Sequence, residues 1–128
     1  MGSGAASRFP RPLLRAVQTV YIPRRDEYAH HMRIVAKRTL REYWEKEPRA
    51  EQPLKSWHAI AAKADWSSPA DVKAVYARAS IVSRDRVVFD IGGNRYRLVV
   101  RFDYRHRIGF VRFVGTHAEY DRIDASAV

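Results

Sequence analysis

A glycine pair followed by asparagine, Gly92-Gly93-Asn94, constrains this chain more than any other feature, because it stands between two runs patterned as strands. Residues that accept positive φ at little steric cost are what a tight hairpin needs at its tip. The run after the turn, Arg95 to Asp103, alternates: Tyr96, Leu98, Val100 and Phe102 fall on one side, and Arg95, Arg97, Val99 and Arg101 on the other. Such alternation marks a strand with one face buried and one wet. The polar stretch Asp103 to Arg107 permits a second reversal. Residues 86–121 therefore predict a three-stranded antiparallel meander with a basic outer face.

The segment ahead of the meander is helical in pattern. Met32 to Val35 is a short strand candidate, and Lys37 to Glu47 then puts Leu40, Tyr43 and Trp44 on one stripe before Pro48 interrupts it. A second helix is predicted from Gln52 or Pro53 to Ala64, with Leu54, Trp57, Ile60 and Ala61 inward. Ser68-Pro69, with Asp71 in the first turn, predicts a capped third helix to about Tyr76, turning Val72, Val75 and Tyr76 to the core. The order β-α-α-(α)-β-β-β is an α+β pattern. One sheet face packs under the helices and the other is left to carry function, with Asp121 to Val128 as a short polar tail.

With 128 residues the chain makes one domain. Its 24 Lys+Arg against 14 Asp+Glu leave a net charge of +10, which predisposes it to polyanions, since each phosphate contact releases condensed counterions. The absence of cysteine removes disulfides, thiolate zinc sites and a Cys nucleophile, in keeping with a reducing cytoplasm. No apolar run approaches the roughly 20 residues of a spanning helix. Residues 1–31 differ in character, with five arginines and no acid in the first 25. They read as a disordered basic arm, a mis-called start, or a transit peptide, and the domain proper as 32–128.

Several side chains could carry chemistry. Arg97 could grip a phosphate bidentately, or be a strand charge paired with Asp90 or Asp103. Arg95 and Arg101 share its face. Alternation along the last strand sends Arg112 inward with Ile108, Phe110 and Val114, as a buried ion pair or an active-site cation. His117 follows Gly115-Thr116 at the strand's end, where it is either an inert surface histidine or a proton-transfer group. Tyr120 could donate a hydrogen bond beside it, or simply pack. Lys73 is a solvated lysine or an auxiliary phosphate contact. His58 and His106 do not stand at metal-ligand spacing, and Tyr43, Trp44, Trp57 and Trp66 read as core packing.

From Met32 to about Ile123 the chain resembles the HigB-type toxins of bacterial type II toxin–antitoxin systems, within the RelE/ParE-like superfamily. The resemblance rests on MRIV, LREYWEKEP, ADWSSPADVKAVY, RVVFDIGGNRYRLVV and FVRFVGTHAEYD in that order. It implies a RelE/ParE-like α+β fold and a ribosome-dependent mRNA endonuclease that drives a ribose 2′-hydroxyl onto the adjacent phosphate without a metal or other cofactor. The implied partners are mRNA on the ribosome and a helix-turn-helix HigA-type antitoxin, with a dimer of heterodimers as a possible assembly. It also implies catalytic roles for His117, Arg97, Arg112 and Tyr120, and RNA contacts for Lys73, Arg95 and Arg101. Arg97 matches the strand arginine of the wider Y-R-L-V pattern, whereas His117 stands where RelE carries arginine. The competing readings are a ParE-like toxin acting by protein contact and a basic nucleic-acid-binding module without catalysis.

Overall fold

Gly92, Gly93 and Asn94 take φ of 65°, 64° and 84°, and the chain reverses there as their types dictate. A computed structural model describes residues 31–128, so the expectations for the N-terminal extension lie almost wholly outside the described residues. The turn joins β3 (Arg86–Ile91) to β4 (Tyr96–Asp103), with Ile91 opposite Tyr96. A second reversal, with Arg107 at φ 58°, leads into β5 (Ile108–Thr116). β1 (Arg33–Val35) lies parallel to β5, and a two-residue β2 (Ser80–Ile81) closes the other edge, in the order β1-β5-β4-β3-β2. The α+β expectation holds, with a parallel edge strand added to the antiparallel meander.

The helices cover one face. α1 (Lys37–Lys46) stops at Pro48, a 3₁₀ turn spans Pro48–Ala50, and α2 (Glu51–Lys63) follows at once. α3 (Pro69–Val75) is capped by the Ser68 hydroxyl, which accepts from the Asp71 N–H at 3.3 Å. Leu40, Leu54, Trp57, Ala61 and Val72 bury themselves against Val87, Phe89, Leu98, Val100 and Phe102. Trp66 lies in the same core, edge-on to Phe102 at 5.8 Å. Two expected core residues are outside it: Ile60 is 47% exposed and Val75 54%. Ile60 precedes Ala61 by one helical position, past the edge of the buried stripe. α3 has only seven residues, and Tyr76 takes the inward place, 5.2 Å from the Phe89 ring.

The opposite sheet face is not left free. Val88 and Val99, side by side across β3 and β4, are buried under Ala125, with Phe113, Tyr120, Ile123 and Val128 packed around them. The segment expected to be a polar tail is thus a strap over the sheet. Arg86 anchors its end, donating from Nε and Nη2 to the Val128 carbonyl at 2.9 and 2.7 Å. The apolar Val99 in a row of arginines is the trace of this packing in the sequence.

A bulge corrects the expectation for Arg112. Val99 opposes Phe113 but Val100 opposes Val111, so Arg112 is the extra residue on β5. The alternation resets there, and Arg112 is exposed rather than turned inward. No helix among the described residues is long and apolar enough to cross a membrane.

Candidate active site

Thr116 ends β5 and starts α4 (His117–Tyr120) through a reciprocal cap. Its hydroxyl accepts from the Glu119 N–H at 3.2 Å, and its own N–H donates to Glu119 Oε1 at 2.8 Å. The preceding Gly115 leaves room for this closure, since a Cβ there would lie 2.7 Å from both Glu119 Oε1 and Phe113 Cζ. The His117 N–H donates to the Arg95 carbonyl at 3.2 Å, tying α4 to the β3–β4 turn. Nδ1 of His117 is 3.1 Å from Asp121 Oδ2, and both side chains are about half exposed.

His117 opens on a cleft of about 330 Å³ bounded by Arg49, Asn94 and Arg95. Its floor is Tyr96, buried, whose phenol donates to Glu47. Glu47 also holds Arg49, with Nη2 at 3.2 Å. The Tyr96 hydrogen bond is the main cause keeping the Glu47 carboxyl below its ordinary value. Burial, and then the same hydrogen bond, holds the Tyr96 phenol above its own. Behind it, burial and then the charges of Glu119 and Glu47 push Tyr43 up to about 12. At neutral pH, therefore, Glu47 is an anion and Tyr96 a neutral donor locked onto it. Arg49 keeps 71% of its side chain exposed. Arg95 is exposed, and among the described residues its side chain has no hydrogen bond or ion pair. The cleft thus offers an imidazole backed by a carboxylate and two guanidinium groups. Among the described residues no group of three or more His, Cys, Asp or Glu side chains could hold a metal.

Of the residues singled out from sequence, His117 and Arg95 meet in this cleft. Arg97 projects to the opposite sheet face with 11% of its side chain exposed, its Nε 3.3 Å from Asp90. Its Nη1 donates to the carbonyls of Asn94 and Tyr96 at 3.2 and 3.3 Å. Arg101 lies over the Phe110 ring at 4.7 Å and faces Asp85 at 4.0 Å. Lys73 donates to the carbonyls of Ala77 and Ala79, both at 2.8 Å, closing the end of α3. Tyr120 packs toward Phe113, ring to ring at 6.5 Å, under the strap. Arg112 is exposed on the bulge, and among the described residues its side chain has no hydrogen bond or ion pair.

Sequence reasoning missed Glu47, Arg49 and Asp121. The four-residue spacing from His117 to Asp121 was a legible helical signal. Glu47 and Arg49 flank the proline that ends α1, and nothing local linked them to a strand end some 70 residues later.

A family model described as HigB_toxin, the RelE-like toxic component of a toxin–antitoxin system, matches residues 50–123, more than half of the chain. The chain is also 27% identical over 94 residues to the mRNA interferase HigB of Escherichia coli O6:H1, an alignment covering 72% of this chain and 91% of that protein. The family match spans Asn94, Arg95, His117 and Asp121 and begins just after Arg49.

Proposed function

Because this chain belongs to the HigB toxin family, the RelE-like toxic components of toxin–antitoxin systems, we propose that it is an endoribonuclease cutting mRNA presented by the ribosome. The observation that carries this reading is the meeting of His117, backed by Asp121, with Arg49 and Arg95 on one cleft. A protein that acted by contact alone would have no use for a proton-transfer group between two cations.

The chemistry follows from that arrangement. With Nδ1–H donated to Asp121, the His117 Nε2 lone pair is available to take the proton of a ribose 2′-hydroxyl. The 2′-oxygen then bonds to the neighbouring phosphorus, and the bond to the 5′-oxygen of the next nucleotide breaks. Arg49 and Arg95 stabilise the added negative charge of the five-coordinate phosphorus. The imidazolium returns its proton to the departing 5′-oxygen, leaving a 2′,3′-cyclic phosphate and a 5′-hydroxyl. Arg49 reaches the phosphate by swinging from Glu47, which Tyr96 keeps anionic and in place. Arg97 secures the Asn94 turn, and Tyr120 holds α4 against the sheet. Lys73 shapes the end of α3, while Arg101 and Arg112 supply outlying positive charge for the RNA backbone.

As a toxic component of a toxin–antitoxin system the protein has an antitoxin as partner. We read that partner as a helix-turn-helix protein of HigA type, in a dimer of toxin–antitoxin heterodimers. The toxin domain is read as 32–128, since Met32 is buried and its N–H donates to the Ala64 carbonyl at 2.9 Å. Action on translating mRNA implies the cytoplasm.

The test is cleavage in a reconstituted bacterial translation mixture, mapped by primer extension, with His117→Ala beside wild type and naked RNA as control. Cuts on translated message that vanish in His117→Ala support the reading. Cutting of naked RNA at the same rate would remove the ribosome from it. No cuts by a folded wild type would replace it with a toxin acting by protein contact.

A further inference from the structure

Beside the His117 cleft runs a second groove, of about 320 Å³, and Asn94 lines both. The groove has apolar walls: Val75 is 54% exposed on its edge and the part-buried Tyr76 lines it, with the fully buried Phe89 packed against the Tyr76 ring. A valine this exposed on a short helix is unremarkable singly, but this one stands at the edge of a recess beside the Tyr76 ring. Asp90 and Asn94 of the hairpin also line it, the Asp90 carboxylate being held by Arg97 on the other sheet face, which leaves the Asn94 amide as the hairpin's polar side chain here. At the mouth stands Arg78, exposed, and among the described residues it has no hydrogen bond or ion pair.

We infer that this groove is a nucleobase subsite for the nucleotide flanking the phosphate attacked in the His117 cleft. A base is a flat apolar body with hydrogen-bonding edges, and it matches a recess with apolar walls and a few fixed polar groups. Asn94 offers both a donor and an acceptor to a base edge. Arg78 supplies the cation for the phosphate that follows the lodged base. Asn94, shared by the two hollows, sets the step between base and scissile phosphate. This subsite rests on the nuclease reading and adds to it a source of sequence preference.

The experiment maps cut sites in the translation mixture for wild type, Val75→Asp, Arg78→Glu and Val75→Ala. Both Val75 and Arg78 are exposed, so folding is expected to survive the changes. Wild type should favour some bases over others at one position flanking the cut, by about tenfold, the scale of a single stacked base. Val75→Asp and Arg78→Glu should flatten that preference to about twofold while still cutting, and Val75→Ala should fall between. An unchanged preference in Val75→Asp overturns the subsite and leaves the nuclease reading intact. A second measurement is independent of cleavage: binding of uncleavable 2′-deoxy trinucleotides carrying either a base or an abasic site at the flanking position. Tighter binding of the base-bearing probe by wild type, lost in Val75→Asp, supports the subsite even if no RNA is cut. Equal binding of the two probes overturns it.

Discussion

His117 Nδ1 and Asp121 Oδ2 face each other across 3.1 Å at the two ends of α4. On the proposed mechanism the carboxylate accepts from Nδ1–H and leaves Nε2 for the substrate, so the pair is expected to act as a unit. His117→Ala should lower kcat for cleavage by about 10²–10⁴-fold, the usual contribution of a proton-transfer group. Asp121→Asn should lower kcat on the order of tenfold with KM unchanged, because it disturbs the orientation of the histidine and not the binding of RNA. A rise in KM with constant kcat would make Asp121 a substrate contact instead.

Three arginines around the hairpin should separate by function. Arg49→Ala and Arg95→Ala are each expected to reduce kcat/KM by about 10–100-fold, the value of a charge-assisted hydrogen bond to phosphate, with little change in urea unfolding. Arg97→Ala should behave in the opposite way. It strands the Asp90 carboxylate and two backbone carbonyls on a largely covered face, and should cost about 2 kcal/mol of stability. An Arg97→Ala protein of full stability but no activity would return the phosphate to Arg97.

Stability should decline in acid with a sign set by the carboxylates. Glu47 is held low chiefly by Tyr96, Asp71 by Ser67, Asp103 by His106 and Asp124 by Ser126. A depressed folded pKa gives stability that is complete above the unfolded carboxylate value and lost as pH falls through the folded one, here from about pH 5 downward. Tyr96→Phe should flatten that decline in urea unfolding between about pH 6 and pH 3. The alkaline limb has the reverse origin. Tyr43 and Tyr104 are raised to about 12, chiefly by burial, so their contribution is full below pH 10 and is lost toward 12.

Gly115→Ala tests whether α4 is held by its cap. The added methyl meets Phe113 Cζ and Glu119 Oε1, and Glu119 can swing aside only by releasing the Thr116 N–H. A stability loss of about 1–2 kcal/mol is expected from the lost cap and crowding. Activity should fall further than stability, since His117 is the first residue of the displaced turn. Retention of full cleavage with a lowered Tm would separate the cap from the site.

Local chemistry in the sequence determined the elements. Glycine and asparagine set the first reversal, Pro48 ended α1, Ser68 capped α3, and period-two burial from Tyr96 to Phe102 marked the strand that lines the core. Each depends on a few neighbouring residues, so each is legible without knowing what lies across from it. His117 and Arg95 were legible as candidates for the same reason, as a histidine at a strand end and an arginine on the outer face of an alternating strand. Tertiary structure alone decided three things: that Arg112 sits on a bulge, that the last eight residues cover Val88 and Val99, and that Arg49 rather than Arg97 joins His117 in the cleft. A bulge depends on the partner strand's register, burial of a sheet face on a distant segment, and the work of a cation on whether a carboxylate already holds it. Those are properties of pairs of residues far apart in the chain, and only folding brings the pairs together.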